Sequence, residues 1–291
     1  MVRMYRPLCL LLLTWLAHAE TLDEQIRAAI AEFPGTVGIY AQNLDSGAIY
    51  TLHGDDPVRT ASTIKLPILV AAFAAVKEGK IAWTDLSMLH ESDKVSGSGV
   101  LREFSDGVRV PLADLAHLMI VVSDNTATNL VLDRVTAEYV NEQMDKFGLT
   151  RTRAMRKVLG GGGEKGFSRA GKMPENERFG LGSSTPHEMV TLLEKIERGQ
   201  AVSEDASKEI LKVLKRQQDH NGIARRVGEL PVANKAGALD HLRSDVGIVY
   251  SPRGRIAMAI TYDGIPKVDW TSDNQGLLLI ARVAELLVAL L

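Results

Sequence analysis

Strand-like hydrophobic patterning occurs at both ends of this 291-residue chain, and helical patterning fills the stretch between them. Val37 to Leu44 and Ala48 to Leu52 read as two strands, with Asp45-Ser46-Gly47 turning between them as a hairpin. Near the other end, Val232 to Ala238, Ser244 to Ser251 and Arg255 to Asp263 read as three more, the last two joined by Pro252-Arg253-Gly254. Between them the apolar residues recur at helical spacing. Leu112 to Val122, Thr126 to Val135, Ala137 to Phe147, Pro186 to Arg198 and Ser203 to Gln218 are the clearest segments, and no strand pattern of comparable strength lies in 79–222. A helix over Thr21 to Phe33 is ended by Pro34-Gly35, and a helix over Asn274 to Leu291 is apolar on most sides, as a helix buried on a sheet would be. Strands drawn from both ends close most economically into one antiparallel sheet covered by the terminal helices. The expected fold is therefore α/β plus all-α. Residues 20–60 and 223–291 would form the α/β lobe and 61–222 an inserted helical lobe, with a small-molecule cleft at their boundary.

The first nineteen residues read as a secretion signal. Arg3 and Arg6 precede the apolar run Leu8 to Leu16, and Ala17-His18-Ala19 is a small-x-small cleavage site. The run is too short to span a bilayer, so membrane contact is expected only through this segment if it stays uncleaved. The domain would then begin at residue 20, and the expected location is the periplasm or the exterior. Cys9, the only cysteine, falls in that segment, so the mature chain would have no disulfide, no thiol nucleophile and no thiolate metal site. Removing Arg3 and Arg6 takes the formal charge from −2 to −4, and such a balance points to neither nucleic acid nor an anionic membrane. The seven histidines show no ligand spacing, so no metal and no cofactor is expected. A monomer is the default.

Three short motifs stand at the junctions of these elements. Ser62 and Lys65 are three apart at the entrance to the apolar helical run Pro67 to Val76, which puts an amine and a hydroxyl on one face. A helix start also offers N–H groups to a developing oxyanion. Pro67 would remove a helical hydrogen bond there and introduce a small kink. Ser123-Asp124-Asn125 precedes the helix at Thr126; it suits an N-cap, and equally a hydroxyl that relays a proton beside an amide that holds another amide. Lys235-Ala236-Gly237 lies on the first strand after the helical middle. Its ammonium would attract a carboxylate, Gly237 would let a ligand approach the strand, and the N–H of Ala238 could pair with that of Ser62 as an oxyanion hole.

Each motif alone is weak, but all three in this order at these junctions resemble the penicillin-recognising serine enzymes, specifically the class A β-lactamase family. The resemblance covers essentially all of 20–291 and extends to Ser183-Ser184-Thr185-Pro186-His187-Glu188-Met189. It implies the serine β-lactamase/transpeptidase-like fold and a set of roles. Ser62 would be the acylated nucleophile, Lys65 its base or proton shuttle, and Ser123 the relay to the leaving group. Asn125 would bind a substrate amide, Lys235 would anchor a substrate carboxylate, and Arg243 would be a second carboxylate partner. The implied partner is a small-molecule β-lactam or a D-alanyl peptide of the cell wall. The activity would be β-lactam hydrolysis or, alternatively, D-alanyl-D-alanine peptidase action with slow β-lactam turnover; a binder without turnover is a third reading.

Two departures bear on this. Ala236 stands where the family has Thr or Ser, and a hydroxyl donating to a carboxylate contributes about 1.5–3 kcal/mol, or roughly ten- to a hundred-fold in affinity. The loop stretch that should carry a deacylating Glu reads Gly166-Phe167-Ser168-Arg169-Ala170, with Glu164, Glu175 and Glu177 only nearby.

Overall fold

The computed structural model describes residues 20–161 and 163–291; the expected secretion segment 1–19 and the side chain of Glu164 lie outside the described residues. Helix α1 (Leu22–Ile30) starts at a capping box in which Thr21 Oγ1 accepts from Glu24 N and the Glu24 carboxylate accepts from Thr21 N. Strands β1 (Thr36–Asn43) and β2 (Ile49–Leu52) form the expected hairpin, and Asn43 Oδ1 fixes its turn by accepting from Asp45 N and Ser46 N. There follow β3 (Val58–Arg59), a 3₁₀ turn over Ala61–Ile64, α2 (Lys65–Lys77), β4 (Leu86–Met88), β5 (Arg109–Pro111), α3 (Leu112–Val121), α4 (Asn125–Val135) and α5 (Ala137–Lys146). Next come β6 (Arg153–Ala154), β7 (Gly182–Ser184), α6 (Pro186–Glu197), α7 (Glu204–Leu214), β8 (Val232–Leu239), β9 (Leu242–Ser251), β10 (Gly254–Asp263) and α8 (Gln275–Leu290).

The main sheet is antiparallel in the order β2-β1-β10-β9-β8, so strands from the two ends meet at β1 and β10, with Thr36 opposite Asp263. The two faces of the sheet belong to two cores. Ile39, Ala41, Met258 and Ile260 pack with Ile26 of α1 and Ile280, Val283 and Leu287 of α8. Tyr40, Ala257, Ala259, Val246 and Ile248 belong to the other core, on the face that α6 and α7 cover. Alternation along each strand sets this division. Helix α2 is buried on almost every side, through Leu66, Ile68, Leu69, Val70, Ala71 and Ala72, so it is the axle of the helical region. Helix α8 is less enclosed than its composition suggests, because Leu278 and Leu290 remain exposed.

Two expectations about α2 and α7 are corrected. The chain enters α2 through the 3₁₀ turn, so Pro67 is the third residue of the α-helix, in a first turn whose N–H groups have no intrahelical partners to lose. No kink is needed there. Helix α7 stops at Leu214 rather than Gln218, because the segment after it runs across the end of α3. Gln217 Nε2 donates to Ile120 O at 2.9 Å and Gln218 N to Val121 O at 3.1 Å. These bonds satisfy carbonyls that a helix C-terminus leaves open, and they hold α3 at the point where Ser123 follows it.

Candidate active site

Ser62 sits on the 3₁₀ turn, which packs against β8 and β9. The backbone is strained immediately before it: Ala61 has φ +46°, in the left-handed region that L side chains rarely adopt. The turn is tied down by Thr63 Oγ1 donating to Thr60 O at 2.8 Å and by Thr60 N donating to Gly182 O at 3.0 Å. Strand β8 passes hard against it. A Cβ on Gly237 would lie 2.8 Å from Thr60 O and 3.1 Å from Ser62 N, so glycine is what lets the strand and the serine turn share one wall, with Ala238 next along that wall.

Lys65 is fully buried, and its Nζ reaches the α3–α4 junction. It donates to Ser123 O at 2.7 Å and Asn125 Oδ1 at 2.9 Å, and lies 3.2 Å from Ser123 Oγ. The direct hydrogen bond to Ser62 that the three-residue spacing suggested is not among these. Burial, followed by the field of Lys235, holds the Lys65 amine well below the usual lysine range. A neutral amine has two N–H groups and a lone pair. In that form Lys65 can give its two N–H groups to Ser123 O and Asn125 Oδ1, both acceptors, with Ser123 Oγ at 3.2 Å as its third partner.

Lys235 Nζ approaches the same hydroxyl from the other side, 3.1 Å from Ser123 Oγ and 2.7 Å from Ala236 O. Burial lowers it to about 8, against the fields of Asp245 and Asp219. Ser123 Oγ therefore bridges the two amines. Its residue also has a left-handed backbone, at φ +55°.

Asp124 is the N-cap of α4, accepting from Ala127 N at 2.8 Å, and it also stitches a loop over the junction. Its Oδ2 accepts from Val100 N and Leu101 N, both at 2.7 Å. Asn125 N donates to Ser98 O and Asn125 Nδ2 to Ser96 O, so Ser96 to Leu101 fix the amide's orientation. This loop demands glycine. Gly99 has φ +109°, and a Cβ there would lie 2.3 Å from the Asp124 carboxylate. Gly99→Ala should destabilise the protein by about 2–5 kcal/mol from backbone strain and overpacking together, lowering the melting temperature by about 5–15 °C. Gly107→Ala is the control, because Gly107 also has positive φ (+80°) but nothing within 4 Å. Equal melting temperatures for the two variants would refute the steric argument.

The cleft has a volume of about 1130 Å³, and Ser62, Ser123, Asn125, Lys235, Gly237 and Ala238 all line it. Lys65 is fully buried behind Ser123 and Asn125. Arg243 is not on the cleft wall. Its guanidinium donates to Leu239 O at 2.5 Å, Leu242 O at 2.7 Å and Asp269 O, and lies under the Trp270 ring at 4.8 Å. Sequence spacing placed it just past a strand turn, but the turn's carbonyls capture it. Glu175 and Glu177 are exposed and do not line the cleft. Ser168 is buried in the loop, where its hydroxyl donates to Ala154 O at 2.8 Å. Sequence reasoning missed Asp219, Asp240 and Trp270 on the wall and Asp245 beneath it. An acid near the start of the apolar strand Ser244 to Ser251 was the available signal for the last. Among the described residues no three His, Cys, Asp or Glu side chains converge as metal ligands.

Beta-lactamase SME-1 of Serratia marcescens is 26% identical over 129 residues, 43% of this chain and 44% of that protein. Beta-lactamase regulatory protein BlaB of Streptomyces cacaoi is 25% identical over 145 residues, 48% of this chain and 46% of that one. The chain thus spans about half the length of the curated relatives it matches. Whole-fold similarity is broader. The crystal structure of a β-lactamase from Sphaerobacter thermophilus DSM 20745 has a TM-score of 0.79 at 30% identity, covering 91% of this chain and 94% of that one. The structure of PBP-A has a TM-score of 0.79 at 28% identity, covering 92% and 94%. The model of the beta-lactamase enzyme family matches residues 21–291, nearly all of the described chain, and the chain belongs to that family.

Proposed function

We propose that this protein is a secreted serine hydrolase that opens β-lactam rings through an acyl-enzyme on Ser62. The observation that carries the reading is the placement of Lys65: a buried amine one turn from Ser62, held by Ser123 O, Ser123 Oγ and Asn125 Oδ1, with burial lowering its pKa well below the usual lysine range. In the proposed reaction Lys65 takes the Ser62 proton as the hydroxyl oxygen attacks the ring carbonyl. The Ser62 and Ala238 amides stabilise the oxyanion. As the C–N bond breaks, the proton passes from Lys65 through Ser123 Oγ to the leaving nitrogen. Asn125, held by the Ser96 to Leu101 loop, binds the acyl side's amide.

A second reading is a penicillin-binding peptidase of the cell wall that β-lactams acylate but that releases them slowly. Two observations favour it: no Glu among the described residues lines the cleft, and PBP-A is as similar in fold as the β-lactamase. A point mutant of PBP-A, 29% identical to this chain, has also been solved as an acyl-enzyme complex with penicillin G.

Intact mass spectrometry of protein recovered from the periplasm, with and without millimolar benzylpenicillin, tests both. The expected species starts at Glu20 and gains one penicilloyl group, and Ser62→Ala gains none. No adduct and no hydrolysis of a chromogenic cephalosporin would reject both readings, and absence of the protein from the periplasmic fraction would reject secretion.

A further inference from the structure

The segment Arg156 to Val158 brings to the cleft a cation that the proposed chemistry does not use. Its backbone is fastened along its length. Met155 N donates to Leu181 O at 2.9 Å and Lys157 N to Gly166 O at 3.1 Å. Asn129 of α4 then clamps Val158 twice, with Oδ1 accepting from Val158 N at 2.8 Å and Nδ2 donating to Val158 O at 3.2 Å. Asn129 stands one turn after Asn125 on α4, about 6 Å along the axis, so the segment prolongs the wall that begins at the Asn125 amide. Arg156 is half-buried and lines the cleft there. Its Nη2 lies 4.0 Å from where a Cβ on Gly180 would be, and Gly180 is itself on the cleft wall.

Among the described residues no carboxylate pairs with Arg156, and its side chain makes no hydrogen bond. The acids around the loop are already taken, Asp133 by Lys157 and Glu138 by Arg169. The guanidinium lies 5.7 Å from the centre of the Phe167 ring. Val158, Leu159, Phe179 and Leu181 line the same wall, so less water screens a charge there than on open surface. The two sides of the cleft also differ in sign. Asp219 and Asp240 accompany Lys235, whereas the loop adds Arg156 and Lys157 with no described acid.

Resting on the reading of Ser62 as the acylated nucleophile, we propose that Arg156 is a specificity-determining residue that receives a second carboxylate, one carried on the acyl side of the donor. Lys235 takes the carboxylate of the leaving side and Asn125 the acyl amide. The acyl chain then runs along the loop wall until its own carboxylate meets the planar guanidinium, which can donate two parallel hydrogen bonds to it. The helical turn between Asn125 and Asn129 sets the length: the carboxylate belongs three or four carbons beyond the amide. The preferred substrates are therefore doubly anionic acyl donors. Arg156 binds the donor and takes no part in the proton path.

Glutaryl-7-aminocephalosporanic acid carries such a carboxylate, and its side-chain monoamide replaces it by an uncharged group of the same size. Second-order acylation rates of the purified protein at pH 8, read by intact mass, should favour the acid over the amide by about three- to tenfold at low salt. Raising the salt from about 0.05 to about 0.5 M should shrink that ratio, because the pair is only half-buried. Arg156→Gln should bring the ratio to about one at both salt concentrations. Arg156→Lys keeps the charge without the planar fork and should retain only part of the preference. Lys157→Gln should leave the ratio unchanged, since Lys157 is already paired with Asp133. The ratio is taken within each variant, so partial loss of folded protein cancels. A parent ratio at or below one, a preference that survives Arg156→Gln, or one that Lys157→Gln lowers equally would overturn the proposal while leaving Ser62 acylation intact. If neither probe acylates Ser62, the underlying reading fails and this inference falls with it.

Discussion

Replacing Lys65 by methionine is expected to slow acylation of Ser62 by about 10²–10⁴-fold, the range that a positioned general base supplies. The side chains are close in length, so the loss is chemical: no lone pair remains to take the serine proton. The pH dependence should follow from the same amine. Lys65 acts in its neutral form, so acylation by the parent should rise as pH increases through its pKa. Burial holds that pKa well below 10.5, so the rise should be complete before an ordinary lysine would titrate. Lys65→Met should show a flat profile over the same range.

A structural loss would look different. The methionine leaves Ser123 O and Asn125 Oδ1 without a donor, at a cost of about 1–3 kcal/mol each, so the melting temperature will fall somewhat. A rescue experiment separates the two effects. The only cysteine is Cys9, so a chain beginning at Glu20 and carrying Lys65→Cys has a single thiol. Aminoethylation of that thiol in the unfolded chain, followed by refolding, rebuilds an amine at the same reach. Recovery of both the rate and the pH-dependent rise is expected; recovery of stability without rate would exclude Lys65 as the base.

How much of this was legible in the sequence depends on whether a feature is periodic. The five strands of the main sheet and the helices of the middle were readable because their apolar residues repeat over eight or more positions, or pair across a glycine turn. The three motifs were readable because each sits where one element hands over to another, and the fold brings Ser123 and Lys235 within 3.1 Å across 112 positions of sequence. Strands β3, β6 and β7 were not readable, since two or three residues carry no period, yet β7 holds the serine turn through Gly182. Arg243 shows the opposite failure: its place in the sequence was right for a cleft residue, but the nearby carbonyls decided where a flexible side chain came to rest. The direction of Lys65 was likewise set by acceptors from a distant loop rather than by its spacing from Ser62.

The penicilloyl adduct on Ser62, once formed, should outlast that of an enzyme with a deacylating carboxylate by about 10²–10⁴-fold. Hydrolysis of an acyl-serine needs a base that activates water on the open side of the ester. The loop that frames this side of the cleft contributes the apolar Val158, Leu159, Phe179 and Leu181 and the cations Arg156 and Lys157 to its lining, and no carboxylate among the described residues. Glu175 and Glu177 are exposed to solvent, and Ser168 is occupied with the loop's own backbone. The acids that do line the cleft, Asp219 and Asp240, stand on the Lys235 wall and belong to the leaving side. Mixing the protein with a chromogenic cephalosporin should therefore give a burst of about one equivalent and then a slow phase, with adduct decay matching the slow phase by mass. The double variant Glu175→Gln, Glu177→Gln should leave that decay unchanged, because neither carboxylate reaches the ester. Linear turnover without a burst, or decay slowed by the double variant, would mean that the loop moves an acid over Ser62 during the reaction. A long-lived adduct that an added amine acceptor shortens would instead mark an enzyme built to pass its acyl group to an amine, which is the peptidase reading carried one step further.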